Sequence, residues 1–306
     1  AQGLALGDHL AKRDRLTFCV ISDGACMEGE AKESLAAIPG LAGRKELNPF
    51  VLVVSDNDTK LSGRISKDSF TMEPSFASLA PLGWNVRHVQ EGQDLQKVYL
   101  AVEQAVAEAK GDPRRPVCLW VKTVKGFGVK ETELSSSGGH GFPLKDGEKI
   151  VEFVNEITGG KTPTDLAAWA QALRKGWEDK QAAKKNAPAS AAPAVKKEKV
   201  QAGFARAMTK AAEEGLPVVS ISADLPGSTG VAAFQKAVPG RSFDVGVAEA
   251  NMISTCTGLA KTGFLPVADT FSQFGITKGN LPIIMAALSQ GPVVAAFTHA
   301  GFQDAA

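Results

Sequence analysis

LTFCVISDGACMEGEAKESLAAIPGLAGRKELNPFVLVVSDN, residues Leu16 to Asn57, is the stretch whose reading decides the fold. Leu16 to Ile21 is a short apolar run, partly β-branched, of the kind that forms a buried parallel strand. Ser22-Asp23-Gly24 breaks it. Glu28 to Ile38 carries a helical pattern closed by Pro39-Gly40. Phe50 to Val54 is a second apolar run, and it ends in Ser55-Asp56-Asn57. A helix between two such runs predicts parallel strands joined by a right-handed crossover. Asp23 and Asn57 then both stand at the carboxyl ends of strands in one sheet, the edge where open α/β sheets bind ligands.

The residue types at that edge have a chemistry in common. Asp23 offers a carboxylate and Asn57 a side-chain carbonyl, both hard oxygen ligands, and the backbone carbonyl of Thr59 can add a third. Mg2+ takes a few protein oxygens and completes its octahedron with water and substrate phosphates. Gly24 lets a phosphate approach its N–H, and the start of the following helix favours negative charge. Taken singly, Asp-Gly and Asp-Asn are ordinary turn pairs. Together, at the ends of two strands of one βαβ unit, they favour a metal–diphosphate site.

Asp23-Gly24, an acidic helix, and Asn57 after a strand resemble the thiamine-diphosphate motif, where the family has Gly-Asp-Gly and a distant Asn. Ser22 replaces the first of those glycines. Cys26-Met27-Glu28-Gly29 resembles the transketolase form of the motif. The resemblance implies thiamine diphosphate held with Mg2+ (or Ca2+), Asp23, Asn57 and Thr59 being the metal ligands. It also implies a homodimer with Glu28 between its two active sites, joining the first domain of one chain to the second domain of the other.

Composition bounds the rest. With 306 residues and 44% hydrophobic content the chain can build two domains with real cores. A net charge of +1 gives no electrostatic case for nucleic acid as a partner. The 4 cysteines form no CxxC pair and lie in apolar runs, which suggests reduced thiols of a cytoplasmic protein. No apolar run reaches transmembrane length, and no signal peptide opens the chain. Residues 179–200 are dominated by Ala, Pro and Lys and read as a linker. That places a diphosphate- and metal-binding domain at 1–178 and a pyrimidine-binding domain at 201–306. The fold class expected is α/β, two three-layer domains, each a mainly parallel sheet with helices on both faces. Thr59 to Leu82 reads as a long polar connection, and Leu281 to Ser289 as an apolar helix.

Further segments resemble the same family. His140, in HGFPL, resembles the HGAPL segment, which implies a place near the cofactor diphosphate and its reactive carbon. Asp224, in SADL, matches an interface position beside the cofactor. Glu249, in VGVAEANM, resembles segments that set a Glu against the pyrimidine ring. On sequence alone it is also an ordinary acidic residue on a first helical turn. A buried Glu there can hydrogen-bond the ring nitrogen and favour the tautomer that acts as internal base. Phe271 and Phe274 match aromatics that stack on the aminopyrimidine, with Thr277 where a third is common. His299, in FTHAG, matches a His that contacts the ketose.

The function implied is a transketolase, moving a two-carbon ketol unit between sugar phosphates of the pentose phosphate pathway. In that reading Glu249, His140 and His299 are catalytic, and Asp23, Gly24, Glu28, Asn57, His140, Asp224, Glu249, Phe271 and Phe274 bind cofactor. The rivals are a 1-deoxyxylulose-5-phosphate synthase and a non-catalytic module of the same fold. Ala1 to Leu10 reads as the inside of a helix, and the resemblance implies further segments before it and after Ala306. The chain is therefore expected to be a fragment that turns over poorly.

Overall fold

The computed structural model describes residues 1–134, 147–186 and 199–301. The chain forms two compact units, one of Ala1–Thr123 with Lys199–Ala306 and one of Val124–Glu198. The first stretch of the larger unit runs α1 (Gln2–Leu10), β1 (Thr17–Ser22), a 3-10 turn (Ala25–Met27), α2 (Gly29–Gly43) and β2 (Phe50–Asp56). A small hairpin of β3 (Thr59–Lys60) and β4 (Gly63–Arg64) follows, then α3 (Ile65–Asp68), α4 (Glu73–Ala77), β5 (Asn85–Val89), α5 (Leu95–Gly111) and β6 (Val117–Lys122). The hairpin and two short helices occupy the segment read as a long polar connection.

Strands β1, β2, β6 and β5 lie side by side in that order, all parallel. The register pairs Ser22 with Ser55, so Asp23 and Asn57 leave the sheet at the same edge. One face packs Leu52, Val54 and Cys118 on Ile38 of α2 and on Phe76 and Trp84. The other packs Val51, Leu119 and Val121 on Ala105 and Ala109 of α5. Asp94 caps α5, its carboxylate accepting from the N–H groups of Gln96 and Lys97.

Helix α2 does not stop at Ile38. It continues through Pro39 to Gly43. Proline in a helix interior removes one N–H and leaves the carbonyl four residues earlier without its donor. That carbonyl belongs to Leu35, and the indole Nε1 of buried Trp84 donates to it at 2.7 Å. A tertiary donor replaces the missing helical one, so the proline is tolerated.

The smaller unit holds α6 (Lys130–Leu134), α7 (Ile150–Ile157) and α8 (Thr164–Asn186), with Ile150, Val154 and Ala170 as its core. Helix α8 runs to Asn186, into the segment read as linker. Ala, Lys and Gln there are good helix formers even where they bury nothing.

The second stretch of the larger unit runs α9 (Val200–Glu213), β7 (Val218–Ser222), α10 (Pro226–Thr229), α11 (Ala232–Ala237), β8 (Ser242–Asp244), α12 (Glu249–Lys261), β9 (Leu265–Phe271), α13 (Ser272–Leu288) and β10 (Val294–Thr298). Its sheet has the order β10-β9-β7-β8, again all parallel. Val219, Ile221 and Ala268 pack on Met252 and Ile253 of α12, and Val218 and Val267 on Met208 of α9 and Phe234 of α11. Parallel sheets flanked by helices are the α/β class expected. Helix α13 starts at Ser272, well before Leu281. A Cβ at Gly275 would lie 2.6 Å from the Phe297 ring, so the glycine admits that ring. Among the described residues no helix is long and apolar enough to cross a membrane.

Candidate functional site

Asp23 is buried where β1 ends, and its carboxylate ties two strand ends together. Oδ1 accepts from the Gly24 N–H at 2.8 Å, and Oδ2 accepts from the N–H groups of Asn57 at 2.8 Å and Asp58 at 2.6 Å. Burial pushes the Asp23 carboxyl up to about 6, against the pull of those three N–H groups, and the charge of Asp56 adds to the rise. The Nδ2 of Asn57 donates to the Ser55 carbonyl and hydroxyl at 3.3 and 3.4 Å, while its Oδ1 is buried without a hydrogen-bond partner. A Cβ on Gly24 would lie 3.2 Å from the Thr59 carbonyl oxygen. The glycine thus makes room for that carbonyl, and its N–H, assigned from sequence to a phosphate, donates to Asp23 instead.

One carboxylate, one unpartnered side-chain carbonyl and one backbone carbonyl fit a hard divalent cation such as Mg2+. The buried orphan Oδ1 is the kind of atom a cation would satisfy. Among the described residues no group of three or more His, Cys, Asp or Glu could hold a metal ion. The donor set at Asp23 contains a single carboxylate. Beside it opens a cavity of about 490 Å³, lined by Asp23, Asp58, Ser66, His88, Trp120 and Lys122 among others. It offers polar groups of both signs.

Glu249 opens α12 at the carboxyl edge of the second sheet and is 2% exposed. Its Oε2 is buried without a hydrogen-bond partner. Burial pushes its carboxyl up to about 7, and the charge of the neighbouring Glu28 raises it further. Gly246, two residues beyond β8, faces Met27, whose Cε fills the space that a Cβ there would take. These contacts bring the start of α2 to the start of α12.

At the same edge Phe271 and Phe274 stack with ring centroids 6.1 Å apart, and Phe271 lies 4.1 Å from the His299 ring. His299 Nδ1 is 2.8 Å from the Thr298 hydroxyl, and its φ of 54° turns the chain just after β10. The structure therefore groups three of the residues singled out from sequence.

Asp224, just past the end of β7, is engaged by the hairpin of its own chain. Its oxygens accept from Lys60 Nζ at 2.6 Å, Leu61 N–H at 2.8 Å and Ser62 Oγ at 2.8 Å. The Ser62 hydroxyl also bonds the Asp224 carbonyl. A φ of 65°, which Asp tolerates better than most residues, permits this turn. Lys60 reaches Asp244 as well, at 2.8 Å, and its side chain is 1% exposed. His140 lies outside the described residues.

Sequence reasoning missed Lys60, Asp244, Asp269 and Lys278. Asp269 was signalled by a charge inside the apolar run Leu265–Phe271. It is fully buried, accepts from Ser222 and Thr229 at 2.9 and 2.7 Å, and burial pushes its carboxyl up to about 6. Lys60 carried no local signal, because its acid partners lie far along the chain.

Residues 7–216 match the family profile described as transketolase, thiamine diphosphate binding domain, and residues 196–306 match that of the transketolase pyrimidine binding domain. A transketolase of Staphylococcus aureus is 33% identical over 163 residues, covering 50% of this chain and 23% of that protein. A 1-deoxy-D-xylulose-5-phosphate synthase of Clostridium acetobutylicum is 26% identical over 317 aligned residues, covering 98% of this chain and 48% of that protein. The solved transketolase from Leishmania mexicana is 23% identical with a TM-score of 0.43, covering 97% of this chain and 50% of that one. The chain thus spans between 23% and 50% of the length of these relatives.

Proposed function

The chain belongs to the transketolase family, by domain profiles that together reach from residue 7 to residue 306, and from that premise we propose that it serves the thiamine-diphosphate-dependent transfer of a two-carbon ketol unit from a ketose phosphate to an aldose phosphate. The observation that carries this reading is Glu249. A buried carboxyl pushed up to about 7, with an unpartnered oxygen, can share a proton with a ring nitrogen at neutral pH. Thiamine diphosphate, when bound, supplies the nucleophilic ring carbon that the side chains of this protein lack.

Each residue then has a task. Asp23, Asn57 Oδ1 and the Thr59 carbonyl would hold Mg2+, which would supply charge for a diphosphate. Phe271 and Phe274 offer their faces to an aromatic ring. Glu249 would hold its proton where a pyrimidine nitrogen could share it. His299, set against Phe271, exchanges a proton with the hydroxyls of a ketose. Pyruvate has no hydroxyl to exchange, so His299 favours ketol transfer. The synthase reaction is the second reading, favoured by the similarity to the Clostridium acetobutylicum enzyme over 98% of this chain.

The reading includes a homodimer. Ile276, Leu281, Ile284, Met285 and Leu288 are exposed on α13, an apolar face of the sort a second copy covers.

Calorimetric titration with thiamine diphosphate, with and without Mg2+, tests the cofactor. Transfer from xylulose 5-phosphate to ribose 5-phosphate, set against CO2 release from pyruvate with glyceraldehyde 3-phosphate, tests the reaction. Ketol transfer supports the proposal, CO2 release moves the protein to the synthase reading, and no Mg2+-dependent binding overturns both.

A further inference from the structure

Thr59, whose carbonyl is the third oxygen of the proposed cation site, lies on a segment anchored to two carboxylates. On its N-terminal side the Asn57 and Asp58 N–H groups donate to Asp23 Oδ2, at 2.8 and 2.6 Å. On its C-terminal side the hairpin turn closes on Asp224. The Leu61 and Ser62 N–H groups donate to that carboxylate at 2.8 and 3.3 Å, and Lys60 Nζ lies 2.6 Å from its Oδ1. The two acids belong to different sheets: Asp23 follows β1, and Asp224 stands two residues past β7. Residues 57–62 thus join the carboxyl edges of both sheets, with the Thr59 carbonyl between the two anchors.

Lys60 is the strongest tie in this segment. Its Nζ also reaches Asp244 Oδ2 at 2.8 Å and Ser62 Oγ at 3.2 Å, so three acceptors take the three ammonium protons. Asp244 is held in turn by the Gly246 N–H at 2.7 Å and by the hydroxyl of Ser69, just past α3, at 3.2 Å. The Lys60 side chain is buried, so water does not compete for these bonds. The Thr59 oxygen and the Lys60 Cα share one peptide plane. Fixing Lys60 therefore limits how far the carbonyl can turn. On its other side the oxygen lies 3.2 Å from where a Cβ on Gly24 would stand. Stability alone is a weak reason to bury such a cluster, because apolar side chains of the same volume serve as well. What the charges add is a fixed position.

The geometry points to Lys60 as a positioning residue for the cation: by tying the Thr59–Lys60 peptide to Asp224 and Asp244, it aims the Thr59 carbonyl and couples cation binding at the first sheet to the strand ends of the second. The inference rests on the reading of Asp23, Asn57 and Thr59 as cation ligands. Such coupling is reciprocal. If the acids of the second sheet hold the carbonyl for the cation, the bound cation holds the hairpin on those acids.

The test titrates the cofactor-free protein with Mn2+, read by water-proton relaxation, with inorganic pyrophosphate present to supply the anion. Asp23→Asn identifies the site. Lys60→Met should weaken Mn2+ binding by about 10–100-fold, the usual effect of removing a group that orients a ligand. Lys60→Met with Asp244→Asn leaves fewer unpaired buried charges, so it guards against simple misfolding and should show the same loss. Amide hydrogen exchange with Mg2+ and pyrophosphate reads the reverse direction. In the parent, exchange should slow at Leu61 and Ser62 as well as at Asn57 and Asp58. In the Lys60 variants the slowing should stay at Asn57 and Asp58. Binding that depends on Asp23 but is as tight in both Lys60 variants as in the parent makes Lys60 a structural ion pair only, and overturns the inference while keeping the cation site. Protection in the parent that stops at Asp58 does the same. A parent that binds Mn2+ no better than Asp23→Asn removes the cation reading, and the positioning role with it.

Discussion

Trp84 Nε1 and the Leu35 carbonyl oxygen are 2.7 Å apart, and Leu35 is the residue whose helical donor Pro39 removes. The bond joins the first sheet's covering helix to the segment that leads into β5. Trp84→Phe should destabilise the protein by about 2–4 kcal/mol, combining a lost buried hydrogen bond with a small cavity. In a Pro39→Ala background the restored backbone N–H can serve the Leu35 carbonyl, so the same substitution should cost about 1 kcal/mol less. Urea denaturation of the four proteins measures the coupling, and strictly additive effects would refute it.

Lys60 joins the hairpin β3–β4 to both Asp224 and Asp244, with its own side chain 1% exposed. Lys60→Met leaves two acids without their cation and should cost about 3–5 kcal/mol, the usual result of breaking a buried ion pair from one side. Adding Asp244→Asn to that variant should recover part of the loss. Thermal and urea unfolding of the single and double variants report it. A double variant no more stable than Lys60→Met would mean that the acids were never the problem.

The parts of the fold written in local periodicity were legible. Leu16 to Ile21 and Phe50 to Val54 fall on β1 and β2, because buried parallel strands are continuous apolar runs. The edge position of Asp23 and Asn57 followed from the crossover rule alone. Where tertiary contacts override local signals, the reading failed. Pro39 looked like a stop, and only Trp84, 45 residues later (84 − 39), makes it tolerable. The helix read as starting at Leu281 begins at Ser272, and Gly275 within it admits the Phe297 ring. Lys60 was invisible for the same reason, since both its acid partners lie in the other sheet's strand ends.

Asp269 predicts a pH dependence of stability. Burial pushes its carboxyl from 3.8 up to about 6. Below about 4 the group is protonated in both folded and unfolded chains. Between about 4 and about 6 only the folded chain keeps the proton, so stability falls as pH rises through that window, then levels. Asp269→Asn removes this contribution and retains an oxygen that can accept from Ser222 and Thr229. At pH 8 the variant should be more stable than the parent by on the order of 2–3 kcal/mol. At pH 4 the two should coincide. Asp23 and Glu249 rise in overlapping ranges, so the quantity to measure is the difference between variant and parent across pH. A difference that does not change with pH would count against a protonated Asp269.

Asn57 separates binding from folding. Its Oδ1 is buried and unpartnered, and its Nδ2 makes only two long bonds, at 3.3 and 3.4 Å. An unsatisfied buried acceptor costs about 1–3 kcal/mol, and two weak bonds return about as much. Asn57→Leu, similar in volume, should therefore leave the cofactor-free protein within about 1 kcal/mol of the parent in urea. Function should respond quite differently. On the proposed site Mg2+ would lose one of three protein oxygens, and the diphosphate the cation that would hold it. With thiamine diphosphate and Mg2+ at 100 times the parent's Kd, the parent gains about 2.7 kcal/mol of stability and the variant should gain none. Thermal shift with Mg2+ and with EDTA reads both numbers from one preparation. A variant that is markedly unstable without ligand would show that Oδ1 has a structural partner. One that keeps the Mg2+-dependent shift would remove Asn57 from the metal site.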